Sequence, residues 1–370
     1  MKKWLIRIVL ALGILLVAAY IFFRMQGGTS GLVEMALPDF PDFPAAQTEF
    51  GEDAQGDIYF STATPFDFDV ILDGMNHALP TTGIGELILP EGASAENPVP
   101  VMVLLHGSGG ISPGRERVYG ELLAANGIGA FVVNYYSPRG VTEDTPYMVS
   151  VISITEFDAL TDAYGALRML NKHPAVDVSR IGVAGFSYGG MATRYALDSR
   201  VKQVLAPDLQ PFAVHVDFYG PCFQNMNMPS TTGAPLLTLR GDEDNSNDLE
   251  ACLQRESRLQ QLGANVTAHI FPGAGHAWEA NRERKLSESS PYVVGCLMEY
   301  DELGHAMANG EYIVNVPPQT SRADRVAIRM SSGDVMGSCV KYGYIIGRDD
   351  DTRDKANVIF LAYLKDVFGL

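Results

Sequence analysis

Positive charge is scarce in this chain. Against 44 aspartates and glutamates stand 27 lysines and arginines, which leaves a net charge of −17 at pH 7. A phosphate backbone calls for a basic surface, so nucleic acid is excluded as a partner and the acidity reads as solubility. Cysteine is sparser still. Cys222, Cys252, Cys296 and Cys339 contain no C-x-x-C pair, which removes the usual zinc framework. No P-loop occurs, no G-x-G-x-x-G follows the first strand, and no segment repeats. A nucleotide cradle or a propeller is therefore not expected, and neither a metal nor an organic cofactor is implied.

What the chain does have begins at its N-terminus. Met1-Lys2-Lys3 precedes Trp4 to Phe23, which is apolar apart from Arg7, and Arg24 closes the run. That matches the ~20 residues a helix needs to cross a bilayer. The run continues past Ala18-Ala19, where a cleaved signal peptide would end. Residues 1–24 are thus expected to form a transmembrane anchor, with secretion after cleavage as the alternative. Lys2, Lys3 and Arg7 lie before the span, and after Arg24 there is no Lys or Arg until Arg115. The positive-inside rule leaves the N-terminus in the cytoplasm and exports the rest, to the periplasm if the source is bacterial. Outside the cytoplasm four cysteines can pair. Of the three possible pairings, Cys222 with Cys252 and Cys296 with Cys339 is preferred.

Residues 25–78 are rich in Gly, Pro, Asp and Phe, with Leu37-Pro38-Asp39-Phe40-Pro41-Asp42-Phe43-Pro44 at their centre. Repeated prolines exclude helix and central strand, so a spacer or extended arm is expected. From about residue 79 to 370 apolar strands alternate with helices. Strands are expected at Gly85 to Pro90, Val99 to His106, Gly129 to Tyr135, Arg180 to Phe186, Ala213 to Phe218, Pro235 to Leu239 and Val266 to Phe271. Helices are expected at Arg115 to Asn126, Glu156 to Lys172, Tyr188 toward Asp198, Leu249 to Leu262 and Lys355 to Phe368. Such alternation implies an α/β fold, a mostly parallel central sheet with helices on both faces. The alternation fails over about 279–348. This polar stretch reads as an insertion over the carboxyl edge of the sheet, either a lid or a surface excursion.

The chemistry centres on Gly185-Phe186-Ser187-Tyr188-Gly189, a strand-turn-helix that fits the G-x-S-x-G nucleophile elbow. A serine hydroxyl needs an adjacent base, itself oriented by a third group. Asp244 follows the strand Leu236 to Arg240 in Gly241-Asp242-Glu243-Asp244 and is the expected acid, with Asp242 as runner-up. His276, in Phe271-Pro272-Gly273-Ala274-Gly275-His276, is the expected base. His269 lies inside a strand, His305 in the insertion, and His77, His173 and His215 precede the acid. The oxyanion donors are expected to be the N–H groups of Tyr188 and of Ser108 in His106-Gly107-Ser108-Gly109-Gly110, with His106 bracing that loop.

These four motifs, in this order, resemble the dienelactone hydrolase family of α/β-hydrolases over roughly Gly83 to Trp278 plus the terminal helix. The resemblance implies an α/β-hydrolase fold, hydrolysis of a carboxylic ester or lactone, and Ser187, Asp244 and His276 as triad. Tyr219-Gly220-Pro221-Cys222 and Leu249-Glu250-Ala251-Cys252 resemble the paired cysteines of exported members. Dienelactone hydrolases proper carry cysteine where this chain has Ser187. The insertion and the anchor lie outside the family's minimal pattern. A peptidase or amidase on the same triad, and a catalytically silent binding module, are the competing readings. Substrate choice is expected to depend on the insertion and on loops such as Tyr135 to Tyr147.

Overall fold

The computed structural model describes residues 23–24, 27–296, 298–331 and 333–370. The anchor expected at residues 1–24 lies, but for its last two residues, outside them. Among the described residues no helix is long and apolar enough to cross a membrane.

Eight strands form the central sheet: β1 (Gly56–Thr64), β2 (Leu79–Ile88), β3 (Val99–Leu105), β4 (Gly129–Asn134), β5 (Val176–Phe186), β6 (His215–Phe218), β7 (Leu236–Gly241) and β8 (Val266–Phe271). Their spatial order is β1-β2-β4-β3-β5-β6-β7-β8. β2 runs antiparallel to both neighbours, and every pairing from β4 to β8 is parallel. This is the α/β-hydrolase arrangement. β3 explains why its sequence is apolar without a break. Val101, Val103 and Leu105 enter one core with the helix Glu156–Leu170, while Met102 and Leu104 enter the other with Glu116–Ala124 and Asp350–Phe368. A strand covered on both faces has no polar side to show.

Residues 25–78 are not a spacer throughout. The chain forms a helix at Gly28–Ala36, the edge strand β1, and a short helix at Phe68–Leu72. The prolines that argued against structure stop at Pro44 and resume at Pro65. Between them β1 alternates, burying Ile58, Phe60, Thr62 and Thr64 and exposing Ser61. The proline-rich arm itself is docked: Arg322 lies 4.9 Å over the Phe40 ring, and Phe43 meets Tyr59 at 5.8 Å.

The stretch 279–348 also has regular structure. Strand Lys285–Val293 pairs with Val340–Ile346. The short strands Met298–Tyr300, Ala306–Ala308 and Glu311–Val314 join Gln224–Asn225 in a second small sheet, and a helix spans Arg322–Ser331. Three- and four-residue strands carry too little period to be read from sequence. The two disulfides are Cys222–Cys252 and Cys296–Cys339. The first ties the segment after β6 to the helix Leu249–Gln261, and the second lies just beyond the Val293–Val340 end of the paired strands of the excursion.

Candidate active site

Ser187 sits where β5 ends and the helix Tyr188–Tyr195 begins. Its backbone is strained, at φ 54° and ψ −112°, a region non-glycine residues enter only when their surroundings force it. The force is packing on both sides. A Cβ on Gly185 would lie 2.1 Å from the Gly189 carbonyl oxygen, and one on Gly189 would lie 2.4 Å from that of Leu105. The Ser187 N–H donates to Phe218 O of β6 at 2.8 Å, which holds the turn against the sheet.

The three side chains singled out in sequence meet here. His276 Nε2 lies 2.9 Å from Ser187 Oγ, and its Nδ1 lies 2.6 Å from Asp244 Oδ2. An ionised carboxylate only accepts, so Nδ1 carries the proton and Nε2 is left to accept from the hydroxyl. Asp244 is buried and saturated. Its Oδ1 accepts from Ser246 N and Oγ, at 3.0 and 2.5 Å, and its Oδ2 accepts from Asn247 Nδ2 at 2.6 Å. Asp242 turns away, accepting from Gly273 N at 2.6 Å. The rival histidines are engaged elsewhere: His305 with Asp301, His77 with Asp73, and His173 with Ala54 O.

The excursion reaches this histidine directly. His276 N–H donates to Ile345 O at 2.7 Å, and Gly347 N–H donates to His276 O at 3.0 Å. Gly275 permits the approach, since a Cβ there would stand 2.7 Å from Ile345 O. The rings of Tyr219 and Tyr344 flank the imidazole edge-on at 4.6 and 5.4 Å. Tyr219 donates to the buried Glu279 at 2.7 Å, and burial raises the Glu279 carboxyl above its ordinary range.

Of the two expected oxyanion donors, Tyr188 is the first residue of its helix, where N–H groups have no intrahelical acceptor. Its hydroxyl is fixed by Glu156 Oε2 at 2.7 Å. Ser108 lies in a turn closed by Gly110 N–H to Gly107 O at 3.0 Å, and its carbonyl accepts from Tyr136 OH at 2.8 Å. A Cβ on Gly107 would stand 3.3 Å from Ser187 Cβ, so this turn abuts the serine. His106 stacks on Tyr135 at 3.7 Å, with Nδ1 2.8 Å from Gly107 O. Burial lowers its pKa to about 3, which keeps the imidazole neutral.

Sequence reasoning missed Ser246, Asn247, Tyr219 and Tyr344. The first two sit among acids and amides of a polar turn, where nothing distinguishes a ligand of the carboxylate from a solvated residue. The assembled groups open on a cleft of about 530 Å³, lined among others by Ser187, His276, Arg115, Pro291 and Tyr344. Among the described residues no group of three His, Cys, Asp or Glu side chains could hold a metal ion.

The chain is similar to several known proteins. A Bradyrhizobium protein named "Probable 2-oxo-3-(5-oxofuran-2-ylidene)propanoate lactonase" is 30% identical over 169 residues, 42% of this chain and 64% of that protein. An uncharacterized peptidase, YuxL, of Bacillus subtilis strain 168 is 22% identical over 227 residues, 52% of this chain and 33% of its own. The chain thus spans under two thirds of the length of either curated relative. A crystal structure of a dienelactone hydrolase-like promiscuous phosphotriesterase from metagenomic libraries is 18% identical, covering 60% of this chain and 84% of that one at a TM-score of 0.45. The sequence profile of the dienelactone hydrolase family matches residues 87–309, more than half of the chain. With the elbow, the sheet order and that match in agreement, the chain belongs to the dienelactone hydrolase family.

Proposed function

We propose that this protein is a serine hydrolase that cleaves a carboxylic ester or lactone through an acyl-enzyme. The observation that carries the reading is the line of hydrogen bonds from Ser187 through His276 to Asp244, at 2.9 and 2.6 Å. Ser187 Oγ attacks the carbonyl carbon as His276 Nε2 takes its proton. The resulting oxyanion is held by the N–H groups of Tyr188 and Ser108, each such donor being worth ~10²–10³ in turnover. The imidazolium returns its proton to the leaving alkoxide and the acyl-enzyme forms. Water, deprotonated by the same imidazole, then releases the acid. Asp244 keeps the proton on Nδ1 throughout. The Bradyrhizobium relative bears a lactonase name, in keeping with this reading.

The test is hydrolysis of p-nitrophenyl acetate by the purified chain and by Ser187→Ala. Turnover by the native chain, together with covalent labelling by a fluorophosphonate, is expected to vanish in the variant. A variant that kept native rates would refute the mechanism.

We further propose that residues 1–24 anchor the protein with its catalytic domain outside the cytoplasm. Two disulfides in a chain with no other cysteine support an oxidising compartment. In cell fractionation the full chain is expected in the membrane pellet. Recovery in the soluble fraction would count against the anchor, and residues 1–24 found missing from the mature chain would favour secretion after cleavage.

A further inference from the structure

A second cleft, of about 610 Å³, adjoins the one that holds Ser187. Ser108, Gly109, Gly110 and Tyr147 line both. The shared wall carries a hydrogen bond between Ser108 Oγ and Tyr147 OH at 3.1 Å. Each volume falls in the range that buries a small organic ligand, so a molecule reaching Ser187 in the first cleft has room to extend into the second.

The two clefts differ in chemistry. The first has Arg115, Arg282 and His276 on its walls. Among the described residues the second has no Lys, Arg or His. It is lined instead by Ser137, Thr142, Thr145, Ser150, Asn134 and Tyr136, with Ile111 and Val141 as its aliphatic residues and Glu143 as its one carboxylate. Several of these groups are held in place. Asn134 Nδ2 donates to Ser137 Oγ at 2.7 Å, and Thr142 N–H donates to Thr145 Oγ1 at 3.0 Å.

Hydroxyls and amides both donate and accept. They suit a ligand that does the same and carries no charge. An anion would meet no cation there and would face Glu143 in a protein of net charge −17. An alkyl chain would strip water from the hydroxyls and return no hydrogen bond. Tyr136 and Tyr147 add aromatic faces with a polar tip, which pack against C–H groups between hydroxyls.

We propose that the second cleft seats a neutral, polyhydroxylated portion of the substrate, a sugar or polyol group joined through the scissile ester, and that Tyr147 on the shared wall is a specificity-determining residue. The proposal rests on the serine-hydrolase reading. The reaction balances as ester plus water giving acid plus alcohol, with the hydroxyl-rich group leaving on the alcohol or staying on the acyl side.

The test compares matched esters in the full chain. On the alcohol side these are 6-O-acetylglucose, hexyl acetate and the cationic acetylcholine, and on the acyl side methyl gluconate and methyl hexanoate. The hydroxylated ester is expected to exceed its aliphatic partner in kcat/KM by about tenfold or more on one side, the worth of one or two hydrogen bonds. In Thr142→Val/Thr145→Val, and separately in Tyr147→Phe, that preference, normalised to p-nitrophenyl acetate in the same variant, is expected to fall. Aliphatic or cationic esters that match the hydroxylated ones on both sides would overturn the proposal, as would a preference untouched by the variants. A native chain that neither turns over p-nitrophenyl acetate nor takes a fluorophosphonate would sink the hydrolase reading instead. The cleft is then decided by calorimetric binding of 6-O-acetylglucose to the native chain and to Thr142→Val/Thr145→Val. Binding lost in the variant supports it, and no binding overturns it.

Discussion

Asp244 accepts more hydrogen bonds than orienting one imidazole requires. Ser246 and Asn247 supply three donors besides His276, and Arg240 Nη1 in turn holds Asn247 Oδ1 at 2.8 Å. These donors fix the carboxylate's orientation with Oδ2 facing Nδ1, so the network preserves the tautomer that lets Nε2 accept from Ser187. Asp244→Asn presents an amide donor to Nδ1 and inverts that tautomer. It is expected to cut kcat on p-nitrophenyl acetate by ~10³–10⁴ with the circular dichroism spectrum unchanged. Ser246→Ala removes the hydroxyl donor and keeps the backbone N–H and the acceptor, so a loss of only about tenfold is expected. A loss as deep as that of Asp244→Asn would mean that Ser246, 3.2 Å from His276 Nδ1, takes part in the proton relay. Ser187 and His276 were legible in sequence because close backbone approach demands glycines around them. Ser246 was not, because a serine in a polar loop has no such signature.

Among the elements, the edge strand and the excursion were the ones the sequence hid. β1 was masked by the prolines on either side of it. The excursion was masked by its polar surface and by the brevity of its strands. Charge is one of the ties that hold the excursion to the body. Arg325, on the helix Arg322–Ser331, donates to Asp67 and to both oxygens of Asp69, each at 2.8 Å. All three side chains are buried. Removing one partner of such a group leaves uncompensated charge in a dry site, at a cost of ~3–5 kcal/mol. Arg325→Ala is expected to lower the melting temperature by several degrees, and to expose the 279–348 segment to protease before the sheet unfolds. Unchanged melting and protection would show that the apolar contacts of Val326 and Ala327 with Phe66 and Val33 suffice alone.

For the whole molecule, acid stability turns on two histidines the proposed chemistry does not titrate. Burial lowers both His106 and His215 to a pKa of about 3, from an ordinary value of 6.5. Between those values the unfolded chain binds two protons that the folded chain refuses, so stability falls as pH falls. The contribution is complete above about pH 6.5 and declines below it by roughly 1.4 kcal/mol per pH unit for each histidine. The urea midpoint is expected to drop between pH 7 and pH 5. His215→Leu should flatten that slope by about half, and an unaltered slope in the variant would place the effect elsewhere. The raised carboxyls of Asp158 and Glu279, both desolvated by burial, act with the opposite sign, since their protonated forms fit the fold better.

The main-chain bonds between His276 and the strand ending at Ile346 join two points about seventy residues apart along the polypeptide. A nascent chain that has made its elbow, its acid turn and even its imidazole still lacks the rung on which that imidazole hangs. The hydrogen-bonded line from Ser187 to Asp244 therefore stays incomplete through most of synthesis. Any product cut short before Ile345 carries Ser187, Asp244 and His276 without the splint that aligns them.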